Sequence, residues 1–173
     1  QVFIVFEKMP SLTYSSTVLS SNHYLIYSTL NWYYSLNLFF KKDLFFYFST
    51  LVESSAWDSL NYFSIDEKIN FFYKNNRLML FNNYYNYTNK LRLTLIYSYS
   101  ITKNNELLSI DKLYENAQWL ERETSEMFNV NYFFKKDTRS LLLDYPRKNF
   151  PLLKDFPTES WSELYYDFLE KTL

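Results

Sequence analysis

The stretch Ala117–Phe128, A-Q-W-L-E-R-E-T-S-E-M-F, decides the fold of this 173-residue chain. With the residues before it, it continues a pattern of apolar or small side chains spaced three or four apart: Ile110, Leu113, Tyr114, Ala117, Leu120, Thr124, Met127 and Phe128. This spacing is one face of a 3.6-residue period, so it predicts an amphipathic helix over residues 110–128. Ser109 is placed to cap that helix. Arg122 and Glu126 lie four residues apart, where they would pair on its outer face.

A proline-containing apolar segment follows the predicted helix. Pro146, Pro151 and Pro157 fall within twelve residues, and each removes a backbone donor and disfavours a helical residue before it. The same segment contains Phe150 and Leu152, so it has apolar surface to cover. The sequence therefore predicts an extended arm over residues 137–173. Docking on a partner is the favoured interpretation, and a strap across its own domain is the alternative.

Residues 23–136 are predicted to form one α+β domain, after a loose segment over residues 1–22. The expected elements are strands near Tyr24–Ser28 and at Leu44–Val52, Arg77–Tyr87 and Lys90–Tyr99, with a helix near Thr29–Phe40. Alternation is clearest at Leu91, Leu93 and Leu95, which would share one face of a strand. Strands followed by a helix indicate a mixed or antiparallel sheet with helices packed on one face.

Met9–Phe40 contains no charged residue, so a membrane span has to be considered. Of its 32 residues, 15 are Ser, Thr, Asn, His or Pro, and such groups are unfavourable in lipid. We expect that this stretch does not cross a bilayer.

The composition excludes several kinds of cofactor site. The chain has no cysteine, one histidine and no glycine. It therefore lacks the usual ligands of iron–sulfur clusters and structural zinc, and it cannot form a glycine-rich phosphate loop. We expect no cofactor bound to this chain and no catalytic residues in it. A net charge of −1 gives no overall basic field to recruit nucleic acid.

The polar residues of this chain form no convincing catalytic group. Glu121 and Glu123 would point to different faces of a helix, so surface or interface ion pairs are expected rather than an acid pair. His23 has no predicted catalytic partner. The aromatic strands carry cations that would suit a stacking surface for single-stranded nucleic acid: Arg77, Lys90 and Arg92. Core packing explains the aromatic residues more simply.

The predicted helix and arm carry opposite charge. Residues 110–128 contain five acidic and two basic residues, whereas residues 135–155 contain six basic and three acidic ones. The two segments could pair with each other or with a partner of alternating sign.

Several short motifs occur in a fixed order: W-L-E-R-E at Trp119–Glu123, M-F at Met127–Phe128, L-L-L-D-Y at Leu141–Tyr145, P-L-L-K-D-F-P at Pro151–Pro157 and E-L-Y-Y-D at Glu163–Asp167. Their order and spacing resemble the 30-kDa subunit of respiratory complex I, also called NADH dehydrogenase subunit 9 or the NuoC-type subunit. The chain departs from the family pattern at Asn129, where the family has glycine, and Asn tolerates the left-handed conformation. It also keeps only Arg139 of an arginine pair and has Leu153 in place of an arginine.

The resemblance implies a core scaffold subunit of the peripheral matrix arm of proton-pumping NADH:ubiquinone oxidoreductase. Such a subunit would position the quinone-module subunits and hold no redox centre, with FMN and iron–sulfur clusters in partner subunits. The expected partners are other complex I subunits, especially the 49-kDa quinone-module subunit. No nucleic acid is expected, and the chain would meet the mitochondrial inner membrane only through the complex, from the matrix side. The alternative is an organellar RNA- or ribosome-associated protein.

A partner interface is expected on the helix and the arm. Its candidate residues are Glu121, Arg122, Glu123, Arg139, Asp144, Tyr145, Lys154, Asp155 and Phe156.

Overall fold

A computed structural model describes residues 13–20 (backbone only), 22–43, 46–60, 76–100, 107–143, 149–157 and 165–172. Its elements, in chain order, are β1 (Thr13–Ser20), β2 (His23–Ser28), a 3₁₀ turn (Leu30–Trp32), α1 (Tyr33–Lys42), β3 (Thr50–Asp58), β4 (Leu78–Asn86), β5 (Leu91–Tyr99), β6 (Leu107–Leu108), α2 (Ala117–Phe128) and β7 (Tyr132–Phe133).

Five strands form one mixed sheet in the order β1-β2-β5-β4-β3. The β1–β2, β5–β4 and β4–β3 pairs are antiparallel, whereas β2 and β5 run parallel. A bulge at Val52 adds one residue to β3 between Leu51 and Glu53. The prediction of an α+β fold with a mixed sheet is confirmed.

Both helices pack on one face of this sheet, as expected. Helix α1 buries Tyr33, Leu36 and Phe40, which recur at three and four residues, and α2 buries Ala117 and Phe128. They meet buried side chains from alternate positions of the strands: Ile26, Leu78, Leu80, Tyr84, Leu93, Leu95, Tyr97 and Tyr99. Each large apolar side chain removed from water in this way contributes about 1.5–3 kcal/mol. This face is the main core of the domain.

The end of α2 depends on a left-handed residue. Asn129 has φ 60° and ψ 42°, and its N–H donates to the Ser125 carbonyl at 3.1 Å. This closes the helix where the family pattern has glycine. The chain then enters β7, which pairs in parallel with β6. The expectation that Asn129 supports a left-handed turn is confirmed.

Three element predictions were wrong in their limits. Helix α2 begins at Ala117 rather than residue 110, because residues 111–116 form turns and the Ser109 hydroxyl donates to Glu121 instead of capping a helix. The strand expected at Leu44–Val52 begins at Thr50 and continues to Asp58. Part of the apolar run that predicted this strand is a loop instead, and the loop places Phe46 and Phe48 in the core. Residues 13–20 of the supposedly loose N-terminal segment form β1.

In the described part of the chain, no helix has the length and apolar character needed to cross a membrane. The uncharged stretch contributes β1, β2 and most of α1.

Candidate partner-docking site

Glu121 is the buried centre of the connection between α2 and the loops around it. Its carboxylate is fully buried and accepts hydrogen bonds from the Ser109 hydroxyl at 2.6 Å, the Ile110 N–H at 2.8 Å and the Lys135 ammonium at 3.2 Å. The Lys135 side chain is only 3% exposed. The carboxylate therefore fixes the chain before the helix and the chain after β7 at one point.

The charge state of this pair reflects its burial. Burial raises the pKa of Glu121, and the bonds from Ser109, Ile110 and Lys135 oppose that shift. Burial lowers the pKa of Lys135, with Glu121 opposing it. The sequence prediction of Glu121 as a surface or interface residue is wrong, because the helix turns this position toward the β6–β7 side of the domain.

Arg122 binds the segment that follows β7. Its guanidinium lies over the Trp119 ring, with the Arg122 Cζ 5.2 Å from the ring centroid. It donates to the carbonyls of Arg139 at 2.9 Å and Ser140 at 3.1 Å, and it lies 3.4 Å from an Asp137 oxygen. Asp137 also accepts two hydrogen bonds from the Arg139 guanidinium. Arg122 thus pairs with the arm rather than with Glu126, contrary to the predicted helix-surface pair.

Glu126 binds three consecutive backbone amides of the arm. The N–H groups of Leu141, Leu142 and Leu143 donate to its carboxylate at 3.0, 2.9 and 2.7 Å. Burial alone would raise the pKa of Glu126, but these amides outweigh it and hold the pKa below its usual value. Helix α2 therefore holds residues 135–143 through the side chains of Glu121, Arg122 and Glu126.

Residues 149–157 form consecutive turns against the domain instead of the extended segment predicted. The Leu153 N–H donates to the Phe150 carbonyl and the Phe156 N–H to the Leu153 carbonyl. The Leu152 N–H reaches the Met127 carbonyl at the end of α2 at 3.3 Å, and Leu153 packs on the main core. In these described residues the arm crosses its own domain, as in the alternative interpretation.

Asp58 and Arg77 anchor this part of the arm. The Arg77 guanidinium donates from Nε to both Asp58 oxygens at 3.0 Å and also binds Asp155. The Lys154 N–H donates to Asp58 at 2.9 Å, and the Lys154 ammonium reaches the Leu60 carbonyl at 2.6 Å. Burial acts to raise the pKa of Asp58, but bonds from Arg77, Lys154 and Leu60 hold it below its usual value.

The remaining predicted interface residues lie at the surface where the structure describes them. Glu123 is exposed, the Arg139 side chain is 74% exposed, and the Asp155 side chain is 60% exposed. Phe156 is 38% exposed. Asp144 and Tyr145 lie outside the described residues.

Sequence reasoning missed Asp58 and Lys135 as residues that position the candidate site. It assigned Glu126 to a pair with Arg122 and Arg77 to a possible nucleic-acid surface, and the structure gives both a different role. Asp58 is 96 residues from Lys154, its backbone partner. Such contacts leave no short-range spacing in the chain. Only the excess of acidic residues before the arm and basic residues within it could have indicated that the two segments pair.

Large apolar side chains are exposed along this region and beyond it. Leu142 is 60% exposed and Leu152 is 53% exposed. Near the C-terminus, Tyr165, Phe168 and Leu169 are 76%, 84% and 93% exposed. Exposed apolar side chains are typical of association surfaces where they form a contiguous patch. Within the described residues, no three His, Asp or Glu side chains meet in a group that could hold a metal ion.

The family model described as respiratory-chain NADH dehydrogenase, 30 Kd subunit, matches residues 26–162. The chain belongs to this family. As a complex I 30-kDa subunit, it is similar over 171 residues to NADH-ubiquinone oxidoreductase subunit 9 of Paramecium primaurelia, with 34% identity. That match covers 99% of this chain and 80% of the relative.

Two solved structures share the fold of this 30-kDa subunit. A chain of the membrane-bound sulfane sulfur reductase, an archaeal respiratory membrane complex, aligns with a TM-score of 0.68 and 15% identity, covering 91% of this chain and 85% of that one. The trypsin-resistant fragment (1–134) of Nqo5 aligns with a TM-score of 0.59 and 13% identity, covering 79% and 98%. The 30-kDa subunit described here therefore shares its sheet-and-helix fold with these two chains.

Proposed function

We propose that this complex I subunit is a core scaffold of the peripheral arm of proton-pumping NADH:ubiquinone oxidoreductase. In this role it positions the quinone-module subunits, above all the 49-kDa subunit, and carries no redox centre of its own. FMN and iron–sulfur clusters then belong to partner subunits. The subunit lies on the matrix side of the mitochondrial inner membrane and meets the membrane only through the complex.

The observation that carries this proposal is an arm anchored on its inner side and apolar on its outer side. Glu126 holds the backbone of residues 141–143, and Asp58 holds the amide of Lys154. The same segments expose Leu142 and Leu152. An apolar surface fixed before binding loses little conformational entropy on docking. It suits a subunit whose task is to hold neighbours at fixed positions.

The proposal is tested on the isolated respiratory membranes of the source organism. Native gel electrophoresis with an NADH dehydrogenase activity stain, followed by mass spectrometry, should find the chain in the active band. Its absence from that band would refute the proposal. Co-migration with ribosomes, together with an RNA affinity that falls steeply with salt, would support the RNA-binding alternative. Metal analysis and visible absorption of the purified chain should show neither stoichiometric iron or zinc nor flavin.

Asp155→Ala separates docking from internal stability in the arm. Asp155 is more than half exposed, and Arg77 keeps Asp58 as a partner, so the fold should lose less than about 1 kcal/mol. If the arm docks on a partner, assembly into the complex falls while the thermal unfolding of the free chain is unchanged. The control Leu93→Ala removes a buried core side chain and should lower the unfolding temperature itself. Normal assembly of Asp155→Ala would show that this carboxylate only holds the arm on its own domain.

A further inference from the structure

The sheet face opposite the helices carries a ladder of polar side chains across four strands. His23 Nε2 lies 2.9 Å from the Thr94 hydroxyl, which donates to Asn83 Oδ1 at 2.7 Å. The Asn83 amide donates to a Glu53 carboxylate oxygen at 3.1 Å. The ladder therefore joins β2, β5, β4 and β3 in their order in the sheet. It does not contribute to the main core, which lies on the other face.

Hydrogen-bond directions fix the electrical polarity of this ladder. The Thr94 hydroxyl donates to Asn83, so it accepts from His23 Nε2–H, and Glu53 ends the ladder as an acceptor. Burial and the neighbouring Arg92 lower the pKa of His23. At neutral pH the imidazole is therefore uncharged, and the positive charge beside it comes from Arg92. One end of the ladder is cationic, and the other is a carboxylate.

A groove of about 830 Å³ runs over the ladder from His23 to Asn83. Leu25, Trp57 and Phe81 give it an apolar floor, and they pack with Tyr27, Met79 and Ile96 in a small second cluster. Val52, the bulged residue of β3, lines the groove and is 58% exposed. An apolar floor of this kind suits aliphatic or aromatic side chains from a second polypeptide.

One of the two cations at the cationic end of the groove is supported by an aromatic ring. The Arg92 guanidinium lies over the Tyr85 ring, 5.8 Å from its centroid. A smaller hollow adjoins it, lined by Asn22, His23, Tyr85, Lys90 and Arg92. Arg92 and Lys90 are both exposed. Two cations beside an apolar floor provide a site for a carboxylate next to apolar side chains.

We propose that this groove docks an acidic amphipathic segment of a neighbouring complex I subunit, a proposal that rests on the proposed function. The segment places apolar side chains over Leu25, Trp57 and Phe81 and a carboxylate against Arg92 and Lys90. The Glu53 end of the ladder sets its direction, because a second carboxylate there is repelled. Desolvated charges of this kind fix orientation more than affinity. The surface is distinct from the arm, so the subunit contacts neighbours on two sides.

Charge favours a polypeptide over single-stranded RNA in this groove. RNA binding relies on several cations along the backbone path. The residues described around the groove supply Arg92 and Lys90 as cations, while Glu53 places a carboxylate on the same face. Phosphates passing over the apolar floor would therefore approach a negative charge.

Zero-length cross-linking of the isolated native complex tests the proposal. A water-soluble carbodiimide joins amines to carboxylates in direct contact, so it should link Lys90 to an Asp or Glu of another subunit. Acetylation of Lys90 should be at least fivefold slower in the intact complex than after chaotropic dissociation. Cross-links of Lys90 confined to its own chain, with unchanged acetylation, would overturn the proposal. Loss of Lys90 protection after ribonuclease treatment would also overturn it, in favour of RNA.

Variants then test the charge requirement, using the subunit that the cross-link identifies. Co-expressed with that subunit, Arg92→Glu should reduce co-purification at least tenfold, whereas Arg92→Lys should retain most of it. Lys42→Glu, on the exposed side of α1, is the matched charge-reversal control and should leave co-purification unchanged. Equal co-purification of Arg92→Glu and Lys42→Glu would refute the role of Arg92. If the native gel places the chain in complex I while Lys90 stays accessible, only the groove proposal fails.

Discussion

Replacing Glu121 with Gln should destabilise the domain by several kcal/mol although the side-chain volume is conserved. The carboxylate is fully buried, and its partner Lys135 is 3% exposed. Glutamine has one acceptor oxygen where the carboxylate has two, so at least one of the buried donors of Ser109, Ile110 and Lys135 is left facing the amide NH2 group, and Lys135 loses its counter-charge. Breaking a buried pair from one side costs roughly 3–5 kcal/mol. Glu123→Gln, two residues along the same helix and exposed, should change stability by less than about 0.5 kcal/mol.

A double-mutant cycle gives the magnitude of the pairing itself. Lys135→Met removes the cation and leaves Glu121 with the Ser109 and Ile110 donors, so it too should destabilise. The double variant Glu121→Gln with Lys135→Met leaves neither charge unpaired. Its loss of stability should be smaller than the sum of the single losses by about 2 kcal/mol or more, within the range seen for contacting residues. The measurement is urea unfolding of the purified chain, followed by tryptophan fluorescence.

The pH dependence of the same variants provides an independent check. An ordinary glutamate, such as Glu121 in the unfolded chain, has a pKa of 4.5, and the pKa of Glu121 is raised in the folded state. Between the unfolded-state pKa and the folded-state pKa, the native chain therefore binds more protons than the unfolded chain. This carboxyl therefore lowers the unfolding free energy as pH rises through that window, and Glu121→Gln should remove the decrease. Lys135 has the opposite effect. Because its folded-state pKa is lowered, it raises the unfolding free energy as pH rises toward 10.5. Additive single losses, or equal losses for Glu121→Gln and Glu123→Gln, would refute this reasoning.

Further variants probe the other structural contacts. Glu126→Gln should weaken the hold on the amides of residues 141–143, and hydrogen exchange at those amides should accelerate at least tenfold; unchanged exchange would contradict the role given to the carboxylate. Asp58 has a pKa lowered from 3.8, so its stabilising effect is present above that value and is lost as pH falls through the folded-state pKa. Asp58→Asn should therefore flatten the acid limb of the stability curve, measured by thermal unfolding between pH 2 and 5; an unaltered limb would exclude Asp58 as its source. Asn129→Ala should cost about 1 kcal/mol at the left-handed position, whereas Asn129→Gly should cost nothing, both by urea unfolding; equal losses would contradict the conformational explanation.

Local patterns predicted most of the sheet. In β5 the alternation of Leu91, Leu93 and Leu95 survives as one buried face, because the period of a strand is independent of its partners. The order of strands in the sheet was beyond reach, because the parallel pairing of β2 with β5 joins residues about seventy positions apart in the chain. Strand β1 was not predicted either, because its polar sequence gives little sign of a strand.

The candidate site was predicted less well than the fold, and for a physical reason. The W-L-E-R-E motif identified the right helix turn, but a motif does not show which side of a helix faces the interior. Glu121 was assigned to a surface or interface ion pair because Glu121 and Glu123 point to different faces of a helix, and the cation that permits its burial, Lys135, lies fourteen residues away. Asp58 and Arg77 carry no local signal at all. Whether such charged residues are buried depends on partners in loops that lie far away in the sequence.

The parallel pairing of β2 with β5 has a consequence for synthesis on the ribosome. Strands β1 and β2 leave the ribosome early and can pair with each other. Strand β2 then waits for its second neighbour until residues 91–99 have been made. Until that point the apolar side of α1 has no complete sheet beneath it, so the nascent chain exposes aromatic surface while residues 43–99 are being made. Long-range pairing of this kind slows folding, and a chaperone at the tunnel exit would act on this chain chiefly before β5 emerges.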